Sequence, residues 1–288
     1  MLQMVRVLLL AIVLLSSCDT FDMRGFVAPT GDVVDNRFEQ SMSLNGGKAV
    51  ATIEADETYT FYVCTDPHID DTYINMREFS TRLRNSSTAR FGIMLGDCID
   101  RRNVLPSYIE AIEYVEGLQT ANLPIFSLIG NHELYFDGWE DYVELLGASV
   151  YWFEVKFDTG RDLFISLDSA SGTLGKKQMK WLKDFLDAER GNYRHCIVLT
   201  HTNLFYTDNS QRGSGNMALE ETAILTELFS RHRVALCLQG HDHHREDLMF
   251  GEVRYTIVGT ICDKAQSPEY LIIRMSDSGA EYQWEYIG

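Results

Sequence analysis

Apolar residues in this chain come in short bursts, and the bursts keep ending in the same kind of polar cluster. Tyr59-Thr60-Phe61-Tyr62-Val63-Cys64 is a β-branched and aromatic run that stops at Asp66, the pattern of a strand. Phe91 to Leu95 is a second such run, ending at Gly96-Asp97, and Ile125 to Ile129 is a third, ending at Gly130-Asn131-His132. Cys196 to Leu199 ends at His201, and Val234 to Leu238 ends at Gly240-His241. Helical spacing predicts helices over 72–85, 105–118, 138–146, 178–188 and 217–231. Pro106 lies near the first turn of the second of these, and Gln178, Trp181, Leu182, Phe185 and Leu186 mark a buried stripe on the fourth. Runs at 150–157 and 162–168 read as an antiparallel pair turning at Thr159-Gly160, and strand-like runs at 253–258, 270–275 and 281–287 close the chain. Strands alternating with helices indicate an α/β fold, and the late cluster of strands indicates a second sheet packed on the first.

The first residues follow a different pattern. Arg6 precedes an apolar run from Val7 to Leu15, which is too short for a membrane span and has the length of a signal-peptide core. Leu15-Ser16-Ser17-Cys18 resembles a bacterial lipobox. That resemblance implies a signal peptide over 1–17, a lipid-modified Cys18, and an exported lipoprotein held at a membrane of a bacterial cell envelope, periplasmic or cell-surface, through the anchor alone. Residues 18–48 carry Gly25, Pro29, Gly31 and Gly46-Gly47 and read as a tether and irregular arm before a domain spanning 49–288.

Composition narrows the partners. The 288 residues can build one large domain or two small ones. A formal net charge of −17 and the lack of a basic stripe argue against nucleic acid, since Arg101-Arg102 is too short to track a phosphate backbone. Cys64, Cys98, Cys196, Cys237 and Cys262 show no pairing pattern. Cys64, Cys196 and Cys237 lie in apolar runs and read as small buried hydrophobes.

The strand ends suggest chemistry. In order they are Asp66-x-His68, Gly96-Asp97-x-x-Asp100, Gly130-Asn131-His132-Glu133, His201 and Gly240-His241-x-His243. Each alone is common, but five successive strands ending this way point to one shared site, since ligand sites in α/β sheets form at carboxyl ends. Imidazole together with carboxylate favours zinc, iron or manganese over calcium or magnesium. Alternate residues of an extended segment point the same way, so Asp66 and His68 can reach one ion. Gly96, Gly130 and Gly240 remove a Cβ where the chain must turn. By the same reading Cys98 points away from Asp97 into packing, His244 lies outside the ligand pattern, and His195 and His232 are structural.

The ordered set resembles the calcineurin-like metallophosphoesterase family, from about Tyr59 to about Gly259. The resemblance implies a four-layer sandwich of two mixed β-sheets flanked by helices, and two divalent transition-metal ions (Mn, Fe or Zn). It implies that Asp66, His68 and His243 bind one ion, that Asn131, His201 and His241 bind the other, and that Asp97 bridges them. It makes His132 the catalytic imidazole, acting as acid or phosphate stabiliser, and Asp100 the group that orients it. Purple acid phosphatases place a Tyr ligand among the first motifs, but here His68 takes the Asp-x-His position, so their charge-transfer iron site is not expected.

The expected reaction is hydrolysis of small phosphoesters by a metal-bound hydroxide, with two ions about 3.5–4 Å apart clamping attacking and leaving oxygens. Two divalent ions, two carboxylates and a hydroxide leave the site net positive, which favours dianionic phosphomonoesters. The alternatives are a phosphodiesterase of the same fold and a catalytically silent metal-binding scaffold. Phe205, Tyr206 and Arg212, in the polar stretch after His201, and Arg101, beside Asp100, are the candidate substrate contacts.

Overall fold

The computed structural model describes residues 33–100, 106–107, 109–110, 123–135, 137–205 and 217–288. The expected leader, Cys18, Arg101, Tyr206, Arg212 and most of the helix expected at 105–118 lie outside the described residues.

The strands are β1 (Thr52–Glu54), β2 (Tyr59–Cys64), β3 (Ala89–Met94), β4 (Ile125–Ser127), β5 (Tyr151–Phe157), β6 (Gly160–Ser166), β7 (Cys196–Leu199), β8 (Leu236–Gln239), β9 (Glu246–Phe250), β10 (Val253–Ile257), β11 (Glu269–Ser276) and β12 (Gly279–Tyr286). The helices are α1 (Val34–Leu44), α2 (Ile74–Asn85), α3 (Asn131–Leu134), α4 (Trp139–Leu146), α5 (Gly175–Glu189) and α6 (Leu219–Arg231). Two mixed sheets form, in the orders β1-β5-β6-β7-β8-β10-β9 and β12-β11-β2-β3-β4.

The inner faces of the sheets meet over an aromatic core. Phe61 stacks on Phe91 at 4.9 Å and Phe153 on Phe164 at 4.7 Å, with Phe126 against Phe153. Rings of this size each contribute roughly 1.5–3 kcal/mol on burial, and offset and edge-on pairs add to that. On the outer faces, α2 buries Met76, Phe79 and Leu83 against the five-stranded sheet. Helices α5 and α6 bury Leu182, Leu186, Leu225 and Phe229 against the seven-stranded one. The result is the expected four layers.

Pairing within each sheet sets where the loops go. β2, β3 and β4 pair in parallel, and so do β6, β7 and β8. Parallel neighbours deliver their carboxyl ends to the same edge. The polar clusters therefore gather at one edge, and the His201 Nδ1–H donates to the Leu95 carbonyl across the gap between sheets at 2.8 Å.

Several elements differ from the sequence expectation, the four-residue α3 among them. The segment read as an irregular arm contains α1, whose Val34, Arg37, Phe38 and Ser41 are buried. The Arg37 guanidinium donates to both carboxylate oxygens of Asp168, at 2.8 and 2.9 Å, with both side chains fully buried. Strands β1 and β9 were not expected either. β1 has three residues, and β9 is mostly exposed, so neither carries an apolar alternation.

Candidate metal centre

Each ligand loop begins where a strand stops and the backbone turns abruptly. Among the described residues seven non-glycine positions have positive φ, and five of them are candidate ligands: Asp66 (52°), His68 (43°), Asp97 (50°), His241 (74°) and His243 (60°). Left-handed backbone at a side chain with a Cβ is costly and concentrates at functional sites. It also corrects the route by which Asp66 and His68 converge. They are not alternate residues of an extended strand, since β2 has already ended at Cys64; two left-handed residues flanking Pro67 aim them inward. Close approach explains two of the glycines. A Cβ on Gly130 would lie 2.1 Å from Asp97 Oδ1, and one on Gly240 would lie 2.2 Å from Thr65 Oγ1.

The structure brings the expected residues into two adjoining groups. Ligand atoms of Asp66, His68 and His243 all lie within 4.8 Å of one another, as do those of Asp97, His201 and His241. His68 Nε2 and His243 Nε2 are 2.9 Å apart, and Asp66 Oδ1 lies 3.7 and 3.4 Å from them. Asp97 Oδ2 stands between the groups, 3.2 Å from His201 Nε2 and 3.9 Å from His68 Nε2. Asn131 Oδ1 is 3.1 Å from His201 Nε2.

These groups fit cations. Asp66 Oδ1 and His241 Nε2 are buried without a hydrogen-bond partner, a costly condition for polar atoms that a bound ion would relieve. His201 spends its Nδ1–H on the Leu95 carbonyl, so Nε2 is the atom it turns to the site. Burial, reinforced by neighbouring His201, pushes His241 down to about 3, which leaves its imidazole neutral as a ligand must be. Burial alone would raise the Asp66 carboxyl, but the neighbouring His243 and His68 imidazoles outweigh it and hold the acid ionised. His201 is the exception. Burial opposes its charge, yet the Asp97 carboxylate wins and pulls it up to about 10.

Supporting contacts account for the precision. Asn131 donates from Nδ2 to the Tyr135 hydroxyl at 2.8 Å, which turns Oδ1 towards His201. Asp66 Oδ2 accepts the His241 N–H at 2.9 Å and the Thr65 hydroxyl at 2.5 Å, leaving Oδ1 to the site. Asp97 Oδ1 accepts the His132 N–H at 2.9 Å. The residue that sequence reasoning left without a role is Glu133. Its buried carboxylate accepts four main-chain N–H groups, from Gly130, Asp97, Cys98 and Ile99, at 2.6–3.2 Å. It thus clamps the Asp97 loop to the start of α3. The only sequence signal was its position three residues after Gly130, where such an acid can cap a helix start.

His132 lies beside both groups. Its ring is 4.4 Å from that of His68, and its Nε2 is 3.9 Å from Asp97 Oδ2. Asp100 does adjoin it, but the 2.8 Å hydrogen bond to His132 Nδ1 uses the Asp100 main-chain carbonyl. The Phe205 ring packs edge-on to Tyr255 at 4.9 Å and against Phe250 at 5.7 Å. Cys98 is buried in the apolar cluster behind β3. His244 bonds the Asp242 carbonyl, His195 the Ser276 carbonyl, and His232 pairs with Asp187.

Two clusters of imidazole and carboxylate ligands at the shared carboxyl edge of two packed sheets define a metal-binding α/β sandwich. The model of the calcineurin-like phosphoesterase family matches residues 59–245, and the chain belongs to that family. Solved structures share the fold. A dimetal phosphatase from Danio rerio is 13% identical, with 80% of this chain and 99% of that one aligned at a TM-score of 0.60. GAP50 of Plasmodium, described as the anchor in the inner membrane complex, is 15% identical over 80% and 84% at 0.62. Purple acid phosphatase PPD1 of yellow lupin is 13% identical over 81% and 52% at 0.57. A search of curated proteins found no significant match.

Proposed function

We propose that this protein is a metal-dependent phosphoester hydrolase that favours phosphomonoesters. The convergence of Asp66, His68 and His243 beside Asp97, His201 and His241 carries this reading. Asn131 would complete the second group and Asp97 would be shared between the two. Two divalent transition-metal ions, when bound, supply Lewis acidity, an activated water and a net positive site. The protein's own part is to hold and move a proton. His132 Nδ1–H donates to the Asp100 carbonyl, so the tautomer is fixed and Nε2 faces the site. Protonated there, Nε2 hydrogen-bonds a phosphoryl oxygen or gives its proton to the leaving alcohol.

The test is turnover by the full chain supplied with manganese, iron or zinc, on p-nitrophenyl phosphate and on bis(p-nitrophenyl) phosphate. The monoester should be the faster substrate, and a much faster bis-ester would overturn that preference. His132→Asn should keep both metals and lose about 10²–10⁴ in kcat. Metal-loaded protein that cleaves neither compound would leave the scaffold reading instead.

The leader carries a separate proposal, that the protein is exported and lipid-anchored at Cys18. Support comes from the apolar run at 7–15 followed by Leu15-Ser16-Ser17-Cys18. Mass spectrometry of the cellular protein should find a diacylglyceryl mass on an N-terminal Cys18; an unprocessed Met1 would refute it.

A further inference from the structure

The loop that returns from β10 to β11, residues 258–268, is sewn to the ligand-bearing chain along its length. The Thr260 hydroxyl donates to the Asp66 carbonyl at 2.6 Å, and the Ile261 N–H donates to the Thr65 carbonyl at 3.1 Å. The Ala265 N–H then closes a turn onto the Cys262 carbonyl, with Asp263 and Lys264 at its centre. Their side chains diverge. Asp263 accepts the Ile74 and Asn75 N–H groups at 2.9 and 2.8 Å and so caps α2. Lys264 forms an ion pair with Asp70.

That pair fixes where the ammonium stands. Asp70 is two residues beyond His68. Its neighbour Ile69 bridges Ile99, and the Asp100 N–H donates to the Ile69 carbonyl at 2.9 Å. Lys264 is therefore held on the lip built from 68–70 and 98–100. The same lip carries Asp100 and His68, which together with His132 place ligand atoms within 4.8 Å of one another. Asp70 is 12% exposed and Lys264 68%, so the carboxylate anchors one side of the ammonium while the rest faces outward. The hydrogen bond to Asp70 raises the Lys264 pKa, with a further contribution from Asp100, and the cation persists across the physiological range.

We infer that Lys264 is a substrate-positioning residue that holds an anionic group on the leaving alcohol. The preferred substrates are then phosphomonoesters whose alcohol carries a second negative charge. This rests on the phosphoesterase reading. His132, the proton donor to the leaving alcohol in that reading, is hydrogen-bonded to the Asp100 carbonyl of the lip on which Lys264 is held. A simple surface staple would contribute little and would not discriminate between substrates.

Glycerol 2-phosphate and 2-phosphoglycerate test this directly, because they share a skeleton and differ in one carboxylate. With manganese-loaded full chain, Lys264→Gln should raise KM for 2-phosphoglycerate about tenfold, move KM for glycerol 2-phosphate less than about twofold, and leave both kcat values near wild type. Lys264→Arg should restore most of the difference. Equal effects on both substrates, no effect, or no rescue by arginine would overturn the assignment. Wild-type protein that cleaves p-nitrophenyl phosphate but does not favour 2-phosphoglycerate would sink Lys264's role alone. Wild-type protein that cleaves none of the three would sink the phosphoesterase reading beneath it.

Discussion

His68 and His243 stand 175 positions apart in the chain, and their Nε2 atoms lie 2.9 Å from each other. The first follows a strand of one sheet and the second follows a strand of the other. Their meeting depends on the two sheets packing in register.

Removing one partner should empty one ion position and spare the other. His243→Ala is expected to reduce the bound metal from about two ions per chain to about one, since the Asp97, His201 and His241 group stays intact. Elemental analysis after gel filtration measures this. Retention of two ions would show that His243 is not a ligand.

Glu133 should matter through the backbone it holds. Glu133→Gln puts N–H donors against N–H donors in a buried place and should cost about 2–4 kcal/mol of stability. Denaturant unfolding gives that figure, and the metal affinity of Asp97 should fall with it. An unchanged midpoint would contradict the clamp.

The state of His201 sets a pH dependence. Its folded value, about 10, lies above the unfolded 6.5. In metal-free protein its contribution is complete below pH 6.5 and is lost as pH rises through about 10. Thermal melts in chelator should therefore drop over that window, and His201→Gln should flatten the drop. Metal uptake must displace this proton, so apparent affinity should climb by about tenfold per pH unit below 10. A pH-independent affinity would refute the coupling.

The ion pair between Arg37 and Asp168 ties α1 to the main body. Arg37→Ala leaves a buried carboxylate uncompensated and should cost about 3–5 kcal/mol. The Arg37→Met, Asp168→Leu double variant should cost far less. Equal losses in the two proteins would mean that packing, not charge, carries the contact.

The long apolar strands and the order of their polar ends were legible because period and punctuation are local properties. The convergence of Asp66, His68, Asp97, His201, His241 and His243 followed from putting strand ends at one sheet edge. What stayed hidden is non-local. Helix α1 is secured by Asp168, 131 positions away, and α2 is capped by Asp263, 189 positions from Ile74. β9 forms because β10 offers it an edge, not because its own side chains alternate. The role of Glu133 is read in main-chain donors, which carry no sequence signature, and the packing of Phe205 on Tyr255 and Phe250 joins residues distant in sequence.

The left-handed ligand residues have an evolutionary consequence. Asp66, His68, Asp97, His241 and His243 occupy backbone that a glycine would take with less strain. Substitutions there that destroy the chemistry can relax the fold. A lineage under selection against backbone strain alone would drift towards a protein of the same shape with an empty centre, and under the proposed function it is demand for turnover that would keep these five positions as they are.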